Sequence, residues 1–103
     1  FSMLAYNITF TMDYNVVNFW EQWIVQKFFP MMLETSLHSP KIFKVYTNAT
    51  EQRIFTVQFL VESFSDYDSF QKDNEAAIIK QLAKTFGNDV VCFTSFIQEI
   101  SLE

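Results

Sequence analysis

From Met3 to Met12 an apolar residue falls at every second position, and from Val16 to Phe28 apolar residues recur at every third or fourth. This change of period at the start of the chain constrains the fold more than any other feature. The two-residue period puts Leu4, Tyr6, Ile8, Phe10 and Met12 on one face of a strand and Ala5, Asn7, Thr9 and Thr11 on the other. The spacing of Val16, Phe19, Trp20, Trp23, Ile24 and Phe28 then predicts a helix from about Asn15 to Phe29, with Asp13-Tyr14-Asn15 as turn and cap. Pro30 lacks an amide donor and disfavours helical geometry at Phe29, so the helix is expected to end or kink there. Met31 to Ser36 reads as a short continuation and Leu37-His38-Ser39-Pro40 as a loop.

Lys41 to Thr47 and Arg53 to Val61 read as strands of an antiparallel hairpin around the polar turn Asn48 to Gln52. Ser63-x-x-Asp66 and Ser65-x-x-Asp68 both resemble helix caps, followed by Tyr67, Phe70, Ala77, Ile78, Leu82 and Phe86 at helical spacing. Asn74 is expected to divide that region, and Gly87, the only glycine, to close it as a left-handed cap. Val90 to Ile100 makes a last strand. The order βαββαβ has one compact α+β solution, the ferredoxin-like sandwich, with two helices on one face of a four-stranded antiparallel sheet. Right-handed crossovers put the first and third strands at its centre. Leu4, Tyr6, Ile8 and Phe10 should then lie with Phe55, Val57, Phe59 and Val61 beneath the helices. Asn7, Thr9, Thr56 and Gln58 share the other face with Ile54, Leu60 and either Phe96 or Phe93, a patch that calls for a second copy of the chain.

At 103 residues the chain is one domain, read as residues 3–103 with Phe1-Ser2 as a tag remnant and Met3 as the start. Thirteen Phe against one Gly and two Pro exclude disorder. A net charge of -5 with scattered Lys and Arg argues against a nucleic-acid partner. The richest apolar stretch is broken by Glu21, Gln22, Gln26 and Lys27, which argues against a membrane span. A lone cysteine, Cys92, and no basic, apolar leader point to the cytoplasm, where Asn7-Ile8-Thr9 and Asn48-Ala49-Thr50 match the glycosylation pattern by chance.

The chain also resembles a family of short bacterial proteins of unknown function whose first strand carries Tyr-Asn-x-Thr, here Tyr6-Asn7-Ile8-Thr9. The resemblance continues through Phe19, Trp23-Ile24, Phe29-Pro30, Ser39-Pro40-Lys41 and Thr56-Val57-Gln58-Phe59 to Glu62, and spans nearly all of Met3 to Glu99. It departs at Asn48 to Gln52, where a glycine is expected. More distantly the chain is similar to the dimeric α+β barrel group, which includes cofactor-free monooxygenases, haem-degrading enzymes and small isomerases. The nearer family has no assigned activity, so the resemblance carries over no catalytic residue.

The leading site candidates are Asn7 and Gln58, flanked by Thr9 and Thr56, whose neutral donors and acceptors suit a small polar ligand on an enclosed face. A mutually satisfied amide pair is the competing and simpler reading. His38, the only histidine, has no recognisable Ser or Cys nucleophile motif around it, and one His with one Cys makes no convincing zinc site. Trp20 and Trp23 read as core, with one of the two fully inside, and Glu62, Asp66, Asp68 and Asp73 as helix-capping acids. The sequence therefore points to a homodimeric ligand-binding or interaction domain needing neither cofactor nor metal. The alternative is a cofactor-independent oxygenase or isomerase on a small organic substrate, with Asn7 and Gln58 orienting it and His38 or Tyr6 handling protons.

Overall fold

The alternation at the start of the chain becomes β1 (Leu4–Asp13), the strand around which the computed structural model, describing residues 2–102, is built. It pairs antiparallel with β3 (Gln52–Val61) on one side and with β4 (Val90–Gln98) on the other. β2 (His38–Val45) joins the outer edge of β3, which gives the order β2-β3-β1-β4. The register sets Leu4, Tyr6, Ile8 and Phe10 against Val61, Phe59, Val57 and Phe55, so one buried face runs unbroken across the central strands. This is the ferredoxin-like βαββαβ sandwich.

The first helical layer begins with a 3-10 turn, Tyr14–Val16, and α1 (Val17–Trp23). Asp13 occupies the cap position without a side-chain bond; the chain is tied instead by Tyr14 N–H donating to Glu51 O at 2.8 Å. Helix does not end at Pro30. A π turn, Ile24–Phe28, leads into α2 (Phe29–Leu33), and Pro30 sits at the first turn of that new segment. Widening the helix just before the proline avoids both the missing donor and the clash of its ring with the preceding turn. The second layer repeats the device: α3 (Phe64–Phe70), a π turn at Gln71–Glu75 containing Asn74, then α4 (Ala76–Phe86). Ser63 caps α3, its Oγ accepting from Asp66 N–H at 3.1 Å. Gly87 ends α4 with φ 57° and ψ −126°, a conformation open to glycine but outside the left-handed helical well.

The layers close on an aromatic core. Phe10 is wholly buried and meets Trp20, Trp23 and Phe28 at ring-centroid distances of 5.2, 6.3 and 5.9 Å. Both tryptophans are inside, because Trp20 also stacks on Phe55 at 4.8 Å while Trp23 packs edge-on to Phe86 at 6.0 Å. Phe96 belongs to this side of the sheet: it pairs with Tyr6 and stacks on Tyr67 at 3.9 Å. The open-face aromatic of β4 is Phe93, two-thirds exposed. Among the described residues no helix is long and apolar enough to cross a membrane.

Candidate functional site

The face away from the helices is ordered in rows that cross all four strands. Val45, Ile54, Thr11 and Val91 make one row, and Phe43, Thr56, Thr9 and Phe93 the next. Lys41, Gln58, Asn7 and Ser95 form a third, and beyond it lie Leu60, Ala5 and Ile97. A polar row is thus flanked by rows with apolar side chains, and Phe43, Val45, Val91, Phe93 and Ile97 are all exposed. The structure brings Asn7, Thr9, Thr56 and Gln58 together as their strand positions require, and adds Lys41 and Ser95. Those two depend on how the edge strands register, which no local pattern specifies.

The expected amide pair does not form. Asn7 and Gln58 are directly opposite in register, yet Asn7 Oδ1 is buried and accepts from no donor. The neighbouring threonines instead satisfy one another, Thr9 and Thr56 sharing a hydrogen bond of 2.8 Å. Threonine hydroxyls directly opposite on a sheet are within hydrogen-bonding reach of each other.

Tyr6 lies on the opposite face from Asn7, because alternate residues of a strand cannot share one. Its phenol donates to Glu75 Oε2 at 2.7 Å, a partner 69 residues away that the π turn carries over the sheet. Burial, then the hydrogen bond and charge of Glu75, hold the Tyr6 phenol far above the usual tyrosine range. Burial and the same carboxylate also raise Tyr67 and Cys92.

His38 is not in a loop but begins β2, opposite Leu60. Its Nδ1 lies 2.8 Å from Ser39 Oγ and its Nε2 2.9 Å from Glu62 Oε1, the latter contact close but out of line for a hydrogen bond. Of the acids read as caps, Glu62 has this different role. It sits two residues beyond His38's partner Leu60, a link visible only once the hairpin register is known. A cavity of about 370 Å³ adjoins His38 and Ser39, and a groove of about 530 Å³ runs between α1 and α4 over Trp23 and Phe86. No group of three His, Cys, Asp or Glu suited to a metal ion occurs among the described residues.

Topology and register define a ferredoxin-like fold, and solved structures of that fold overlie the chain. An EthD family protein from Bacillus halodurans aligns with TM-score 0.62 at 11% identity, covering 90% of this chain and 97% of its own. A candidate antibiotic biosynthesis monooxygenase from Bacillus cereus aligns with TM-score 0.60 at 16% identity, covering 100% and 98%. A dimeric ferredoxin-like protein from an uncultured marine organism gives 0.51 at 15%, covering 98% and 99%. At such identities the likeness is one of fold. The chain belongs to the DUF4286 family, a domain of unknown function, which it matches over residues 3–100. No functionally curated protein matches it.

Proposed function

We propose that this chain is a homodimeric binding domain whose two sheets pack face to face and take a small polar organic molecule at the row Lys41, Gln58, Asn7 and Ser95. The observation that carries the reading is the orphaned Asn7 carbonyl oxygen in the polar row of this face. An unmet buried acceptor costs about 1–3 kcal/mol, which a donor from a ligand or a second sheet removes. The exposed apolar side chains on either side favour the same closure, since Phe43, Phe93 and Ile97 each lose water contact in it. The only ionisable group of the row is Lys41, so the arrangement suits holding a molecule better than moving its protons. The oxygenase or isomerase alternative loses support from the separation of Tyr6 from Asn7 on opposite faces. A cytoplasmic setting accords with the free, half-buried thiol of Cys92.

Sedimentation equilibrium tests the dimer: the wild type is expected to be dimeric and Leu60→Lys monomeric, because two-fold symmetry places the new charge in the interface twice. A wild-type monomer at high concentration refutes the reading. Native mass spectrometry of the purified dimer tests the ligand, with a bound small molecule expected in wild type and absent in Asn7→Leu.

A further inference from the structure

At the free edge of the sheet, apart from the polar row, three side chains form a chain of contacts. Ser39 Oγ is 2.8 Å from His38 Nδ1, and His38 Nε2 is 2.9 Å from Glu62 Oε1. A hydroxyl hydrogen-bonded to an imidazole is the arrangement by which a serine is activated as a nucleophile. The carboxylate is close to the other ring nitrogen but out of line for a hydrogen bond, and needs only a small side-chain rotation to orient the ring. From these contacts, the backbone and the adjoining cavity we infer that Ser39, His38 and Glu62 form an esterase site for short apolar carboxylic esters.

The backbone at Ser39 gives independent support. Ser39 has φ 56°, the one positive value at a non-glycine position among the described residues. A serine is held in the left-handed region at a cost, and such outliers concentrate where a side chain must be aimed. The cause here is an irregularity of the edge strand: the β2–β3 register shifts between His38 and Lys41, leaving Ser39 and Pro40 without partners. Bulges re-aim side chains in this way, and they leave backbone amides outside the ladder.

The third support is space. Ser39 and His38 border the cavity of about 370 Å³, whose other walls include Phe29, Met32, Leu33, Leu37, Pro40 and Phe59. The volume suits a small molecule, and the apolar lining suits an acyl chain over a charged group.

The chemistry closes with groups present. With the proton on Nε2, Nδ1 is free to accept. Ser39 Oγ adds to the ester carbonyl carbon as its proton passes to His38 Nδ1, and Glu62 faces the imidazolium. Collapse of the tetrahedral oxyanion breaks the bond to the alcohol oxygen, and the alcohol leaves with the proton from His38. Water then adds to the acyl-serine, yielding a proton to His38. That proton returns to Ser39 Oγ as the carboxylic acid departs. Ser39 and His38 are the catalytic residues, and Glu62 is a positioning residue.

The test uses p-nitrophenyl butyrate and p-nitrophenyl acetate with the full chain. Saturable hydrolysis is expected, with the butyrate favoured, and Ser39→Ala and His38→Gln should each lower kcat/KM by about 100-fold or more. Glu62→Gln should lower it by about tenfold, with Glu62→Asp restoring part of the loss. A fluorophosphonate should label wild type at Ser39 by peptide mass mapping, and leave Ser39→Ala unlabelled. Matching thermal midpoints exclude misfolding as the cause of loss. Hydrolysis by Ser39→Ala at the wild-type rate would show imidazole acting alone and overturn the proposal, as would turnover no faster than the buffer blank or a label on another residue.

Discussion

Replacing Tyr6 by Phe removes one oxygen from a buried side chain between sheet and helices. The ring keeps its packing, with Phe70 at 4.9 Å and Tyr67 at 6.1 Å, so the change isolates the 2.7 Å hydrogen bond to Glu75. A hydrogen bond to a charged acceptor contributes about 1.5–3 kcal/mol, and the half-buried Glu75 carboxylate loses its donor when the phenol is gone. A stability loss of that size is expected at neutral pH. The same variant changes the alkaline behaviour. Burial first, and Glu75 second, raise the folded phenol's pKa far beyond the unfolded value of about 10. Above that pH the unfolded chain has released the proton that the folded chain still holds. The stabilisation is therefore complete below about pH 10 and declines as pH rises further. Urea unfolding from neutrality to about pH 11 should show this decline in wild type and a shallower one in Tyr6→Phe, with Tyr67 and Cys92, also raised, supplying the remainder. Glu75→Gln keeps an acceptor and removes the charge; because burial is the largest cause, most of its alkaline decline should persist. A Tyr6→Phe loss below about 0.5 kcal/mol at neutral pH, or a wild-type alkaline slope in that variant, refutes the reasoning.

Gly87→Ala should cost about 1–3 kcal/mol by denaturant melt from backbone strain alone, since nothing lies within 4 Å of the added Cβ. Ser63→Ala should lose about 1 kcal/mol with the Asp66 cap, and Ser63→Thr should keep most of it. Phe10→Ala should cost about 3–5 kcal/mol, measured by the same melts, because the ring it removes is fully buried among Trp20, Trp23 and Phe28.

Which face each residue of β1 shows follows from alternation alone, and with it the burial of Tyr6, Ile8 and Phe10 and the grouping of Asn7 with Thr9. The order of elements then leaves one compact arrangement, so the sheet order also lies within reach of the amino-acid sequence. These are determined locally because a strand has a period of two and a helix of 3.6. Tertiary structure decided the rest. Pro30 reads locally as a helix end or kink, and packing both segments on the sheet favours a π turn over a break. Phe93 and Phe96 are equally apolar, and only the β1–β4 register assigns one to solvent and the other to Tyr67. Glu75 reaches Tyr6, Glu62 reaches His38, and Asn7 misses Gln58 for one physical reason. A hydrogen bond needs atoms placed to a few tenths of an ångström, and that placement is the joint result of strand register, bulge and helix position, which distant parts of the chain fix together.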